Sequence, residues 1–202
     1  MSRLFFLFAL LLFSTMSTLG QICNVQKTFP DIHLPFETND DSFDSYAADD
    51  PIVLEEETAI CLCKDNNDYW VKRAQYSLAR NTYYDFFTVG KFYLFDKFYG
   101  FLFYMDFNTD SGYYIELVLS IVDSISQKVL FSSPVSVIDD ICRYYSKAMI
   151  IKEADNKYTV SILDSTTEYF LYFTKDEEGE ILINKQNKKK KECQIQQQIP
   201  PQ

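Results

Sequence analysis

Hydrophobic and polar positions alternate most cleanly over "YYIELVLSIVDS", residues 113–124. Tyr113, Ile115, Leu117, Leu119 and Ile121 share one parity, while Glu116 and Ser120 lie on the other. Successive side chains of a strand point to opposite faces, so this pattern predicts a half-buried β-strand. Just upstream, Tyr99, Phe101, Phe103, Met105 and Phe107 form a second apolar parity, with Gly100, Leu102, Tyr104 and Asp106 between them. The intervening "NTDSG" supplies turn residues, and positions 98–122 therefore read as a β-hairpin.

The same alternation predicts strands near 157–163, 168–174 and 180–183, with turns at 164–167 and 176–179. Weaker strand patterns lie in "TAICLCK" (58–64), "YWVKRAQYSL" (69–78) and "TYYDFFTV" (82–89). One stretch departs from period two. Ile138, Ile141, Cys142, Tyr145, Ala148 and Met149 recur at helical spacing, with Ser133 as a cap and Pro134 at the first helical position. The expectation is one amphipathic helix near 134–153, with a strand pair as its rival. The fold class that follows is mainly β: a single antiparallel domain, sheet, barrel-like or sandwich, with that one helix, if it forms, packed against it.

Composition sharpens the question of what the rings do. The chain carries 18 Phe and 15 Tyr, and nine of the eighteen residues of "KFYLFDKFYGFLFYMDFN" (91–108) are aromatic. Lys91, Asp96, Lys97 and Asp106 interrupt that stretch, and each charge at bilayer depth costs about 2.5–3.5 kcal/mol, so it is not expected to span a membrane. The rings are expected in strands, as core or as the wall of a ligand cavity.

Charge divides by segment. Residues 31–57 hold ten Asp and Glu and no Lys or Arg, while the rest of the chain balances 19 acids against 19 bases. The net charge of −10 thus resides in one stretch, which with Pro30, Pro35 and Pro51 reads as an extended or partly disordered acidic arm. The other end, "KQNKKKKECQIQQQIPPQ", reads as a frayed basic and Gln/Pro tail whose Lys188–Lys191 cluster is placed to meet the arm. An acidic balance with one short lysine run gives no footprint for nucleic acid.

Arg3, then ten apolar residues from Leu4 to Phe13, then small residues to Gly20, follow the layout of a secretory signal peptide. The apolar run is about half of what a bilayer requires. The expected organisation is a signal peptide at 1–20, the acidic arm at 21–57, a β-rich domain at 58–184 and a tail at 185–202, in a secreted, extracellular protein. Cys23, Cys61, Cys63, Cys142 and Cys193 all follow the expected cut, and an odd count leaves one thiol free or available for a disulfide-linked dimer. The pairing expected is Cys23 with Cys61 or Cys63, and Cys142 with Cys193.

No catalytic constellation stands out. His33, the single histidine, sits in the acidic arm away from any candidate nucleophile, and no G-x-S-x-G motif occurs. Cys61 and Cys63 lack a second pair to complete a zinc site, and "DFNTDSGYYIEL" (106–117) is out of register with an EF-hand. No catalytic residue, metal or cofactor is therefore assigned. Three functions are carried forward. The first is a non-enzymatic extracellular interaction protein engaging a protein partner through its aromatic surface or acidic arm, with Tyr46 among acids as a tyrosine-sulfation candidate. The second is a carrier of a small hydrophobic ligand, with Phe101, Phe103, Phe107, Leu117 and Leu119 lining the cavity. The third is a hydrolase with an unidentified carboxylate pair.

Overall fold

The computed structural model describes residues 28–38, 52–63, 83–109, 112–139, 144–164 and 167–189. Ten strands and one helix are found among them. Strands β2 (Tyr83–Phe95), β3 (Phe98–Thr109), β4 (Gly112–Asp123), β5 (Val129–Asp139) and β6 (Tyr144–Tyr145) form one antiparallel sheet in chain order. Strands β1 (Phe36–Glu37), β7 (Lys147–Ala154), β8 (Lys157–Leu163), β9 (Thr167–Lys175) and β10 (Ile181–Lys189) form a second. The architecture is a sandwich of two sheets and not a closed barrel.

The expected hairpin forms, with β3 and β4 paired from Phe98↔Asp123 to Thr109↔Gly112. The expected strands at 157–163, 168–174 and 180–183 become β8, β9 and the first part of β10. Between the sheets lies one continuous apolar core, to which the first sheet contributes Phe98, Leu102, Leu117 and Leu119, and the second Ile150, Val160, Leu171 and Phe173. Rings meet directly across it. Phe95 stands edge-on to Tyr158 with centroids 5.1 Å apart, and Phe131 to Phe173 at 5.6 Å. Edge-to-face rings at this separation contribute about 0.5–1.5 kcal/mol beyond the area they bury.

The expected helix at 134–153 is not there. Those residues complete β5, form β6 and run on through β7 into the second sheet. Of the residues at helical spacing, Ile138, Tyr145, Ala148 and Met149 lie on three different strands, and Ile141 and Cys142 lie outside the described residues. Pro134 is accommodated because β5 is irregular at that point, where the register with β4 skips from Ser136 to Pro134. The chain changes sheets at Ser146, and a buried hydroxyl network holds this corner. Ser136 Oγ donates to the Ser146 carbonyl at 2.6 Å, and the Val137 N–H donates to Ser146 Oγ at 2.8 Å. Thr38 closes the network by accepting from the Ala148 N–H at 2.8 Å. Every one of these groups would otherwise be a desolvated donor or acceptor costing about 1–3 kcal/mol.

The acidic arm is not detached where it is described. Its residues form a third layer over the first sheet and one edge of the second. The Ile32 N–H donates to the Lys91 carbonyl at 2.9 Å, and the Lys91 N–H to the Pro30 carbonyl at 2.8 Å. Gly90 makes this approach feasible, because a Cβ there would lie 2.3 Å from Ile32 Cγ2 and 3.0 Å from the Pro30 carbonyl oxygen. The chain then pairs Phe36 with Ile150 on the far sheet. It returns to β2 at residues 52–54, where the Leu54 N–H donates to Phe86 and the Thr88 N–H to Ile52. Charge is compatible with this course because Phe29, Phe36 and Leu54, which anchor it, are buried while its described acids, Asp31, Glu37, Glu55, Glu56 and Glu57, face solvent.

The helix α1 (Glu56–Leu62) follows and replaces the strand expected over 58–64. Glu56 and Glu57 in its first turn favour the positive end of the helix dipole. Ala59, Leu62 and Cys63 recur at i, i+3 and i+4, so one face is buried while Ile60 stays exposed. At the end of the sandwich, Asp123 Oδ1 accepts from the Ile125 and Ser126 N–H groups at 2.9 and 3.1 Å. Lys97 reaches both Asp123 (3.1 Å) and Glu180 in the β9–β10 turn on the second sheet's side (3.4 Å). Burial pushes the Asp123 carboxyl up, but these hydrogen bonds and the lysine together hold it below its ordinary value.

Candidate functional site

The pairing Thr109↔Gly112 leaves two residues between the strands, and this fixes which parities share a face. Phe101 pairs with Ser120 and Phe103 with Val118, whereas Leu102 pairs with Leu119 and Tyr104 with Leu117. Paired residues of an antiparallel ladder point to the same side. Phe101 and Phe103 therefore face α1 and the N-terminal layer, while Leu117 and Leu119 face the second sheet. The proposed carrier lining is divided between two separate cores. The side chain of Phe107 lies outside the described residues.

The register also places Glu116 and Ser120, expected on a polar outer face, beneath α1, with Glu116 only 1% exposed. Tyr114 Oη donates to Glu116 Oε1. Ser120 Oγ, 3.1 Å from Ser132 Oγ, donates to the Leu62 carbonyl at 2.7 Å, satisfying a group at the helix C-terminus. Cys63, hydrogen-bonded to Ser132, is a buried free thiol, whereas Cys61 is disulfide-bonded. Burial pushes the Cys63 thiol up to about 12, with the Glu116 charge adding to the rise and the Ser132 hydrogen bond opposing it. The thiolate is the nucleophile, and at neutral pH this sulfur is held as a thiol. The cluster couples helix to sheet, and its chemistry is that of a structural group.

Cys23, Tyr46, Cys142 and Cys193 lie outside the described residues, so the expected disulfide pairings and the sulfation candidate fall outside them too. His33 is exposed. Among the described residues, no group of three or more His, Cys, Asp or Glu is arranged to hold a metal ion, and no helix is long and apolar enough to cross a membrane.

The two sheets differ in their outer faces. The first is covered by α1 and residues 29–54 of the N-terminal layer where described, whereas among the described residues none overlies the second. Its registers bring Ile151, Thr159, Tyr172 and Asn184 into one row across β7–β10, and Met149, Ser161, Phe170 and Gln186 into the next. Ile151, Leu163 and Leu182 on this face are 37%, 38% and 48% exposed. Phe170 and Tyr172 stack with centroids 6.0 Å apart, and Lys157 lies 5.2 Å from the Tyr172 ring. Around them Asn184 and Gln186 are exposed and supply hydrogen-bonding groups, whereas Thr159 is buried and its hydroxyl donates to Glu153 at 2.6 Å. A signal for this face was present in "TEYFLYFTK", where both parities are apolar or aromatic although only one can enter the sandwich. The strand at 185–189, expected as part of a frayed tail, carries the rim of the face.

No family model, curated protein or solved structure matches this chain.

Proposed function

We propose that this is a secreted, non-enzymatic extracellular protein that binds another protein through the outer face of β7–β10. The observation that carries this is the asymmetry of the sandwich. The outer face of one sheet is overlaid by α1 and the described N-terminal layer, while among the described residues none overlies the outer face of the other. There Ile151, Leu163 and Leu182 are exposed beside the half-buried Phe170–Tyr172 stack and the Asn184 and Gln186 amides. Contiguous exposed apolar area rimmed by polar groups marks interaction sites, and aromatic side chains dominate their energetics. The secretory layout of residues 1–20 supports the extracellular setting. The ring contacts across the sandwich, and the division of the proposed lining between two cores, favour this over the carrier of a small hydrophobic ligand.

The test is binding of the labelled, purified protein to cultured cells and to secreted matrix, with unlabelled protein as competitor. The expected result is saturable binding that falls about 30-fold or more in Ile151→Asp and Tyr172→Ala, which corresponds to about 2 kcal/mol at a central interface residue. The far-UV spectrum and thermal midpoint should be preserved in both. Undiminished binding in these folded variants, or no saturable binding to either preparation, would remove the proposal.

A further inference from the structure

The four lateral edges of the two sheets are treated differently. β1 and β6 are two residues long, and β2 is covered along its outer edge by the backbone of residues 30–32 and 52–54. Such shortening and covering is how sheets avoid adventitious pairing. β10 is nine residues long, and among the described residues its backbone pairs only with β9. Its outer row of N–H and C=O groups is a template for one more strand.

The charge of β10 selects what that strand is. Ile181–Lys189 contains Lys185, Lys188 and Lys189 and no acid, and the sequence continues with Lys190 and Lys191. On the β9 side only Lys188 is opposite a carboxylate, Glu168; Lys185 is opposite Leu171 and Lys189 opposite Thr167. Pairing β10 with a second copy would bring two strands of charge +3 together, with Lys185 against Lys185 in the full antiparallel overlap. Like charges directly opposite each other are destabilising, and opposite ones contribute about 0.2–1 kcal/mol per pair. We infer that the β10 edge accepts an extended, acidic segment of a partner protein by strand addition, main-chain hydrogen bonds supplying affinity and the lysines supplying selectivity. This rests on the interaction reading above and adds the site and the chemistry of the partner segment.

The probe is a fluorescein-labelled octapeptide alternating glutamate and valine, set against a peptide of equal charge with prolines in place of valines and against an alternating lysine–valine peptide. By fluorescence anisotropy the glutamate–valine peptide is expected to bind the full-length protein at least tenfold more tightly than either control. The preference should weaken with salt. Binding should slow hydrogen exchange of amides within 181–189, and K185E/K188E/K189E should lose at least tenfold in affinity, with K185Q/K188Q/K189Q as the milder variant if the reversal does not fold. Equal binding of the proline peptide would reduce the effect to bulk charge and overturn strand addition. So would a free protein whose β10 amides are all protected already, or a concentration-dependent dimer in sedimentation that the lysine variants alter. If cell binding falls with Ile151→Asp but is untouched by the lysine variants, the edge inference fails and the face reading stands; if neither variant affects it, the face reading itself fails.

Discussion

Replacing Phe103 with alanine is expected to lower the unfolding free energy by about 3–5 kcal/mol. Phe103 is fully buried on the side of the first sheet that faces the helix, in a cluster with Leu62, Phe101, Met105 and Val118. Removing the ring loses its transfer free energy and leaves a void that neighbours fill only in part. Much of that cluster is rigid strand, anchored by β2 on one side and β4 on the other. Single domains have only about 5–15 kcal/mol in hand, so this variant should shift the urea midpoint strongly with little change in slope. A loss below about 1 kcal/mol would mean that the outer layer is loosely applied, and would reopen the carrier reading.

The second large effect is alkaline. The unfolded Cys63 thiol ionises near its ordinary value of 9.0, whereas the folded one ionises at about 12 because burial disfavours the thiolate. Above pH 9 the unfolded chain has released a proton that the folded chain keeps, so stability falls as pH rises. The contribution is fully present below pH 9 and is lost between pH 9 and 12, at about 1.4 kcal/mol per pH unit and about 4 kcal/mol in total at most. Urea midpoints measured from pH 8 to 11 should fall more steeply in the native protein than in Cys63→Ala, since lysines and tyrosines titrate in both. Tyr158, raised chiefly by its burial, adds the same fall to each. Parallel pH profiles would contradict the burial of Cys63 at the C-terminus of α1 against the first sheet.

Which parts of this fold were legible in the sequence follows from physical range. The β3–β4 hairpin and strands β8 and β9 were legible because alternation and turn residues are local signals. The helix expected at 134–153 failed because Ile138, Tyr145 and Ala148 match helical spacing only along the chain, while in space they belong to three strands. Local spacing carries no information about a chain that crosses between sheets at Ser146. The carrier lining failed on parity. A two-residue interval between paired Thr109 and Gly112 sets odd residues of β3 against even residues of β4, so Phe103 and Leu119 face opposite ways. Net charge gave no sign that residues 31–38 and 52–57 pack on the sheets, because a few anchors, Phe36 and Leu54 among them, seat these described parts of the arm while their carboxylates remain in water; residues 39–51 lie outside the described residues. The outer face of β7–β10 was the hardest to see, since an exposed apolar parity and a buried one look alike until the sheet has a partner on only one side.

The central claim is that the first sheet is closed by the N-terminal layer while the second is open at its face and its β10 edge. Residue-resolved hydrogen exchange on the free protein tests it most directly. The amides of Thr88 and Lys91, on the outer edge of β2, should be protected because they donate to the Ile52 and Pro30 carbonyls. Along β10, alternate amides should exchange orders of magnitude faster than those of β3 and β4, since every second N–H of an unpaired edge points to water. Free exchange at Thr88 and Lys91, or uniform protection along Ile181–Lys189, would contradict the account.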